Sequence, residues 1–253
     1  MIIRLICSRK PIFLVNPSNP ASHALSDKTL QRLKQVVEKN PNLIILTDDV
    51  YGTFAEDFRT VYSVLPYNTI LVYSFSKLYG VTGWRVGLIA MNRNNVCDRL
   101  LSELPEKDRD FLHEEYAIVT SNPEEMSFLD RVVADSRSIG LYHTSALSTP
   151  SQAFMALMSL THLVNAESDP YIILANETVK ARYAALMNAL GLPADESAQN
   201  TMYGPGFDAP EGTVRISLAN LNEEDYVEIA RRLFELLDDY YSEYKTSAMD
   251  EAA

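Results

Sequence analysis

Short apolar runs rich in β-branched residues alternate with stretches of helical spacing near the start of the chain. The runs Ile12–Val15, Leu43–Thr47 and Thr69–Tyr73 predict buried parallel strands. Between the first two runs, Ser26 is the predicted N-cap of a helix that ends before Pro41. This strand–helix–strand order predicts a right-handed crossover and an α/β sheet.

The rest of the chain is mostly helical in its pattern. Trp84–Met91 is a further strand candidate, and a short strand is predicted at Thr213–Ala219 after a loop-like stretch. Helical periodicity marks four segments, which are 125–139, 150–165, 170–190 and about 222–241.

We place a domain boundary at Pro170, which interrupts the apolar pattern and favours a helix start. The prediction is a first domain of residues 1–169, with a helical insert at about 101–140, and a second domain of residues 170–253.

Composition and charge exclude several classes of protein. The 253 residues are 47% apolar and 22% charged, as in ordinary globular proteins. The net charge of −12 disfavours nonspecific binding to nucleic acid, because the phosphate backbone would repel it. Residues 1–100 hold 12 Lys and Arg against 7 Asp and Glu, so an anionic ligand is expected there.

Cysteine content and hydropathy indicate the cellular compartment of the protein. Only Cys7 and Cys97 are present, too few for a disulfide framework. The apolar run at the N-terminus is too short for a signal peptide, and nothing approaches the roughly 18 apolar residues of a membrane span. We expect a soluble, cytoplasmic protein with no membrane partner.

Polar side chains follow the first three predicted strands. The strands run into Asn16–Pro20, Asp48–Tyr51 and Ser74–Lys77. Because the carboxyl ends of parallel strands meet at one edge, an amide, a carboxylate, a phenol, hydroxyls and an ammonium would converge there. A lysine in such surroundings suits Schiff-base chemistry, for which pyridoxal 5′-phosphate (PLP) is the natural partner.

Together with Gly83–Gly87, these segments resemble the fold type I, aspartate-aminotransferase-like PLP enzymes. Arg85 follows Lys77 by eight residues, which is the spacing of the lysine and the phosphate-binding arginine in that family. Val214–Ser217 is similar to the family's segment that binds the substrate carboxylate. The resemblance implies the C-terminal part of an α/β PLP-binding large domain, followed by a smaller α+β domain.

Within this family the chain resembles the aspartate 4-decarboxylases. The matching segments are Leu104–Glu106, Phe128–Arg137, His143–Thr144 and Gly206–Pro210. The resemblance implies conversion of L-aspartate to L-alanine and CO2, with transamination to oxaloacetate as a side reaction. It also implies 2-oxo acids as substrates and a homodimer or larger homo-oligomer.

The resemblance assigns four residues to the cofactor ring. Lys77 would form the Schiff base and move the α-proton of the substrate. Asp48 would pair with the pyridine nitrogen, and Tyr51 and Asn19 would hydrogen-bond the phenolate oxygen.

Three further residues receive roles from the same resemblance. Ser74 and Arg85 would hold the phosphate, and Arg215 would grip the substrate α-carboxylate with its two-pronged guanidinium. Asp49 and Ser76 match no catalytic position and are interpreted as structural. The four histidines lack the spacing of metal ligands, so no metal is expected.

Other interpretations stay open at this point. Members of the family are longer, and the part without a counterpart here is mainly N-terminal, so we expect a truncated chain. Such a chain is either an enzyme, an inactive fragment or an interaction module, and a general amino-acid aminotransferase is a further alternative. Ser74–Lys77 also satisfies the Ser-x-x-Lys pattern of acyl-transferases, which should open a helix. The segment Tyr79–Gly83 is a poor helix former, and no Ser-Asp-Asn element follows, so this alternative is disfavoured.

Overall fold

The computed structural model describes residues 11–19, 23–55, 57–138, 148–165, 168–194, 216–218 and 221–250. Two compact units divide these residues. One takes the residues up to Ser18 and from His23 to Asn165, and the other takes Asn19 and the residues from Ser168 onward. The assignment of 1–169 to a cofactor domain and 170–253 to a small domain stays a prediction.

The first unit contains a four-stranded sheet. Its strands are β1 (Ile12–Val15), β2 (Ile45–Asp48), β3 (Thr69–Ser74) and β4 (Gly87–Met91), and they lie in this order across the sheet. Strands β1, β2 and β3 are parallel, which confirms the sequence prediction. Strand β4 pairs antiparallel with β3, so the sheet is mixed.

Helix α1 (Asp27–Lys39) connects β1 to β2 and covers part of the sheet. It begins at the predicted N-cap, where Ser26 accepts a hydrogen bond from the Thr29 N–H. Leu30 is 1% exposed and packs in a core cluster with Ile45 and Val61. Burial of this face of the helix is what holds α1 on the sheet.

The strands are less buried than their apolar sequence predicts. Burial is greatest in β2, where Ile45 and Thr47 have no exposed surface. Phe13 in β1 is 60% exposed, because it lies on the opposite face from Leu14, which packs against the α1 cluster. The expectation of fully buried strands is therefore wrong for β1.

The fourth strand is shorter than predicted. Thr82–Trp84 form a 3-10 turn, and Arg85 adopts a left-handed conformation with φ of 54°. A left-handed residue cannot continue an extended ladder, so β4 begins at Gly87 rather than at Trp84.

Short helices connect or follow the strands in the first unit, and longer ones continue the chain. The short helical elements are the 3-10 turn Gly52–Phe54, α2 (Val61–Val64) and α3 (Phe75–Leu78). The later helices are α4 (Val96–Ser102), α5 (Glu106–Tyr116), α6 (Phe128–Ser138) and α7 (Thr149–Val164). The predictions of helix at 125–139 and 150–165 are confirmed.

A second core cluster holds helices α4 to α6 together. It includes Val96 and Cys97 of α4, Tyr116 of α5 and Phe128 of α6, with Ile44 from the loop before β2. The helical insert predicted at about 101–140 is therefore packed against the sheet unit through the same apolar residues that give it its periodicity.

The second unit is built from α8 (Pro170–Ala189) and α9 (Glu223–Asp250). Both helices were predicted, although α9 continues further than expected. Leu186 of α8 packs with Ile216, Tyr226 and Ala230. Among the described residues, no helix is long and apolar enough to cross a membrane.

The strand predicted at Thr213–Ala219 is absent from its described part, Ile216–Leu218. Ile216 and Leu218 are buried against the helices, but backbone carbonyls of this segment accept hydrogen bonds from side chains. Tyr226 donates to the Ser217 carbonyl at 2.9 Å, and Arg182 donates to the Leu218 carbonyl at 3.0 Å. In this described part, packing against the helices accounts for the apolar positions that predicted a strand.

Candidate active site

The parallel strands bring their polar ends to one edge of the sheet. Val15 pairs with Asp48 and Asp48 pairs with Val72, after which β3 continues to Ser74. The Asn16 N–H donates to the Asp48 carbonyl at 2.9 Å, and the Asp49 N–H donates to the Val72 carbonyl at 3.1 Å. The segments after β1, β2 and β3 therefore leave the sheet side by side.

The turn after β2 carries Asp48 and Tyr51. Asp48 is half-buried, and its Oδ1 accepts the Val50 N–H at 3.1 Å. The Gly52 N–H donates to the Asp49 carbonyl at 2.9 Å and closes the turn that includes Tyr51. Backbone hydrogen bonds of this kind orient the carboxylate before any ligand binds.

A contact with β3 anchors the same turn. The hydroxyls of Thr53 and Tyr73 lie 2.8 Å apart. Burial raises the pKa of the Tyr73 phenol, and the contact with Thr53 opposes that shift. Tyr73 is therefore a neutral structural group that ties the Asp48–Tyr51 turn to the strand ending at Ser74.

Ser74 and Lys77 lie where β3 passes into α3. The Ser74 hydroxyl caps this helix by accepting the Ser76 N–H at 3.2 Å, and it also donates to the Ser76 hydroxyl at 2.9 Å. Lys77 is exposed, and within the described residues its amine makes no hydrogen bond or ion pair. The helix α3 has only one turn and ends at Leu78, so no α-helix runs through Tyr79–Gly83, as the sequence predicts.

Arg85 reaches the same end of the sheet through the hairpin from β3 to β4. Ser74 pairs with Gly87, two residues beyond Arg85. A side chain at Gly87 would put its Cβ 2.7 Å from the Tyr73 carbonyl oxygen, so close pairing of the strands needs glycine here. Arg85 itself is exposed and donates to the Thr82 carbonyl at 3.3 Å.

Asn16 and Asp49 are buried polar residues at this edge that received no role from the sequence. Asn16 has no exposed surface; its amide donates to the Arg59 carbonyl at 3.2 Å, and its Oδ1 accepts the Leu25 N–H at 2.8 Å. Asp49 accepts a hydrogen bond from Thr47. Residues two apart in an extended chain lie on the same face, and this spacing is the sequence signal for the contact between Thr47 and Asp49.

The structure thus brings Asp48, Tyr51, Ser74, Lys77 and Arg85 to one end of the sheet. Asn19 is grouped with the second unit, and its role stays a prediction. Arg215 lies outside the described residues, as do the decarboxylase-like segments His143–Thr144 and Gly206–Pro210.

Comparison with solved structures establishes the class of fold. The aspartate aminotransferase of Thermus thermophilus, solved with maleate, aligns with a TM-score of 0.56 at 18% identity. The alignment covers 92% of this chain and 59% of that structure. The chain has the fold of the aspartate-aminotransferase-like PLP enzymes, as predicted.

Sequence comparison then shows which proteins the chain is similar to. Residues 5–106 match the family of class I and II aminotransferases. A Pseudomonas sp. protein named bifunctional aspartate aminotransferase and L-aspartate beta-decarboxylase is 39% identical, over 93% of this chain and 53% of its own length. A bifunctional aspartate aminotransferase and glutamate/aspartate-prephenate aminotransferase of Petunia hybrida is 23% identical, over 84% of this chain and 48% of its own length.

These matches confirm the resemblance to class I and II aminotransferases, a family that depends on PLP. The chain spans about half the length of the curated relatives it matches.

The side chains at the sheet edge fit that cofactor. PLP needs an amine for its aldehyde, a carboxylate for its ring nitrogen, a donor for its phenolate oxygen, and hydroxyl and cationic groups for its phosphate. The edge supplies each of them, in Lys77, Asp48, Tyr51, Ser74 and Arg85. Because Lys77 and Arg85 are exposed, both charged groups are accessible to a ligand.

Proposed function

We propose that this chain is the lysine-bearing part of a PLP-dependent enzyme that converts L-aspartate to L-alanine and CO2. Transamination, in which aspartate becomes oxaloacetate and a 2-oxo acid takes its amino group, is the second reaction of the same site. The observation that carries the proposal is the meeting of Asp48, Ser74 and Lys77 at the carboxyl edge of β2 and β3. The 39% identity to the bifunctional Pseudomonas sp. protein supports aspartate as the substrate.

The residues of the edge divide the work of holding the cofactor. When bound, PLP supplies an aldehyde and a protonated ring that draws electrons from the substrate. The Asp48 carboxylate would hold the proton on the ring nitrogen, and the Tyr51 hydroxyl would donate to the phenolate oxygen. Ser74 and the Arg85 guanidinium would bind the phosphate through charge-assisted hydrogen bonds.

Lys77 is the group that handles the proton. Its exposed amine would attach the cofactor, take the α-proton of the substrate and return it. Arg215 would orient the substrate by binding its α-carboxylate. For decarboxylation, the bond between Cβ and the side-chain carboxyl carbon breaks, CO2 leaves, and a proton replaces it on Cβ to give alanine.

The first experiment tests whether the chain holds the cofactor. PLP is titrated into the purified protein, absorbance is followed, and borohydride then fixes bound cofactor covalently, so that peptide mass analysis locates it. We expect modification of Lys77, its complete loss in Lys77→Ala, and no change in Lys107→Ala, which removes an exposed lysine of α5. Absence of modification on Lys77 would contradict the proposal and favour a non-catalytic module.

The second experiment tests the reaction. L-aspartate is supplied to the loaded protein, with and without a 2-oxo acid as amino-group acceptor, and alanine, CO2 and oxaloacetate are measured. Alanine and CO2 in equal amounts support decarboxylation. Turnover of several amino acids without release of CO2 would replace the proposal by a general aminotransferase.

A further inference from the structure

Asp49 is a buried carboxyl group that the roles above leave unused. It is 3% exposed and lies directly after Asp48, at the point where β2 leaves the sheet. The Thr47 hydroxyl, which is wholly buried, donates to Asp49 Oδ1 at 2.5 Å. This contact joins two residues of the same strand face across Asp48.

The second oxygen of the Asp49 carboxyl, Oδ2, is buried without a hydrogen-bond partner among the described residues. An ionised carboxylate buried in this way is costly unless a cation or several donors compensate it. The charged group that acts on Asp49 is the carboxylate of Asp48, which has the same sign.

The electrostatic effects agree with this geometry. Burial raises the pKa of the Asp49 carboxyl, and the Asp48 carboxylate adds to the increase. The hydroxyls of Thr47 and Thr60 oppose it. Burial and the neighbouring carboxylate therefore both favour the neutral form of the Asp49 carboxyl over its ionised form.

We propose that Asp49 is a positioning residue for Asp48: the buried Asp49 carboxyl, which accepts a hydrogen bond from Thr47, fixes the end of β2. The inference rests on the proposed function, because Asp48 is the residue assigned to the ring nitrogen of PLP. Asp48 and Asp49 lie side by side at the end of β2, and the half-buried Asp48 is the more exposed of the two.

The backbone of Asp49 explains how it acts on its neighbours. Its N–H donates to Val72 of β3, and its carbonyl accepts from Gly52 beyond Tyr51. Holding the Asp49 side chain therefore holds the whole turn from Asp48 to Tyr51. If the side chain is released, both the carboxylate and the phenol lose their fixed directions.

The experiment compares PLP affinity in two substitutions of Asp49. Asp49→Asn keeps the shape and the neutral polar contact, and we expect its dissociation constant to stay within about twofold of the wild type. Asp49→Ala removes the contact, and we expect affinity about tenfold weaker. Asp110→Asn, which removes an exposed charge in α5, is the control and should change nothing.

Thr47 gives an independent route to the same contact. Thr47→Val keeps the volume but removes the hydroxyl, so it should weaken PLP binding about as much as Asp49→Ala. Thr47→Ser restores a hydroxyl and should recover affinity close to that of the wild type. An Asp49→Ala or Thr47→Val protein that binds PLP as tightly as the wild type overturns the positioning role.

Thermal melting without cofactor tests the neutral state separately. A raised pKa in the folded protein means that stability falls as pH rises above the unfolded pKa, because the unfolded chain then releases this proton first. Asp49→Asn cannot release it. Its melting temperature should therefore gain on that of the wild type as the pH is raised from 4 to 7.

The outcomes separate this inference from the proposed function. If the melting temperatures of Asp49→Asn and the wild type differ by the same amount at pH 4 and pH 7, Asp49 is not held in its neutral form. Loss of PLP binding in Asp49→Asn overturns that part of the inference as well. A wild-type chain that binds no PLP at any pH contradicts the proposed function, and the positioning role falls with it. In that case the melting comparison still decides whether Asp49 is held neutral.

Discussion

The edge of the sheet and the helical region α4 to α6 both contain buried polar groups, but they use them differently. In the helical region, Arg131 is 6% exposed and donates to the carbonyls of Pro123 and Met126 at 2.7 and 3.2 Å. Its guanidinium lies 4.9 Å from the centre of the Tyr116 ring. Tyr116 in turn donates to Asp135 at 2.8 Å.

At the sheet edge, the buried groups instead support exposed ones. Asn16, Thr47 and Asp49 are buried and hold the backbone, whereas Lys77 and Arg85 are exposed. The comparison teaches that polar residues bound to one another stabilise a fold, while charged groups presented by a rigid backbone are available to a ligand. Substitutions in the two regions should therefore affect different measurements.

The largest expected effect on stability comes from Arg131→Ala. The substitution leaves two carbonyls without their donor and removes the guanidinium from the Tyr116 ring, so we expect a loss of about 3 kcal/mol in the free energy of unfolding. Urea denaturation measures it, and Arg109→Ala, an exposed arginine of α5, is the control. If the two variants are equally stable, the buried polar contacts of the helical region do not stabilise the fold as we infer.

Arg85→Gln should give the reverse result. Because Arg85 is exposed, we expect the free energy of unfolding to change by less than about 0.5 kcal/mol. Loss of a charge-assisted phosphate contact should weaken PLP binding by about tenfold or more, which is about 1.4 kcal/mol. Arg93→Gln beyond the opposite end of β4 removes the same charge and should leave the affinity unchanged.

Of the three substitutions, Tyr116→Phe should have the smallest main effect, and it gives the sharpest test of the difference between the helical region and the sheet edge. It deletes the hydrogen bond to Asp135 but keeps the ring under Arg131, so we expect a loss of about 1 kcal/mol in stability. PLP affinity should not change. A change in affinity without a change in stability would show that the helical region takes part in the site.

Much of the fold was readable from the sequence because its signals are local. The Ser26 cap, the helix starts near 149 and 170, and the β-branched runs lie in neighbouring residues, and their periods predicted the elements. The order of the motifs around Asp48, Ser74 and Lys77 likewise indicated the resemblance to class I and II aminotransferases that the comparisons confirm. The seven predicted site roles stay predictions.

Other features depend on contacts between residues that are distant in the chain, and only the tertiary structure decided them. The antiparallel direction of β4 is set by its pairing with β3, and the missing strand at Ile216–Leu218 follows from packing against two helices. Asp48 and Asp49 are adjacent in the sequence, yet the surrounding fold buries Asp49 and leaves Asp48 half-buried. A sequence determines which groups are present and in what local pattern, but burial and partners are set by the chain that packs around them.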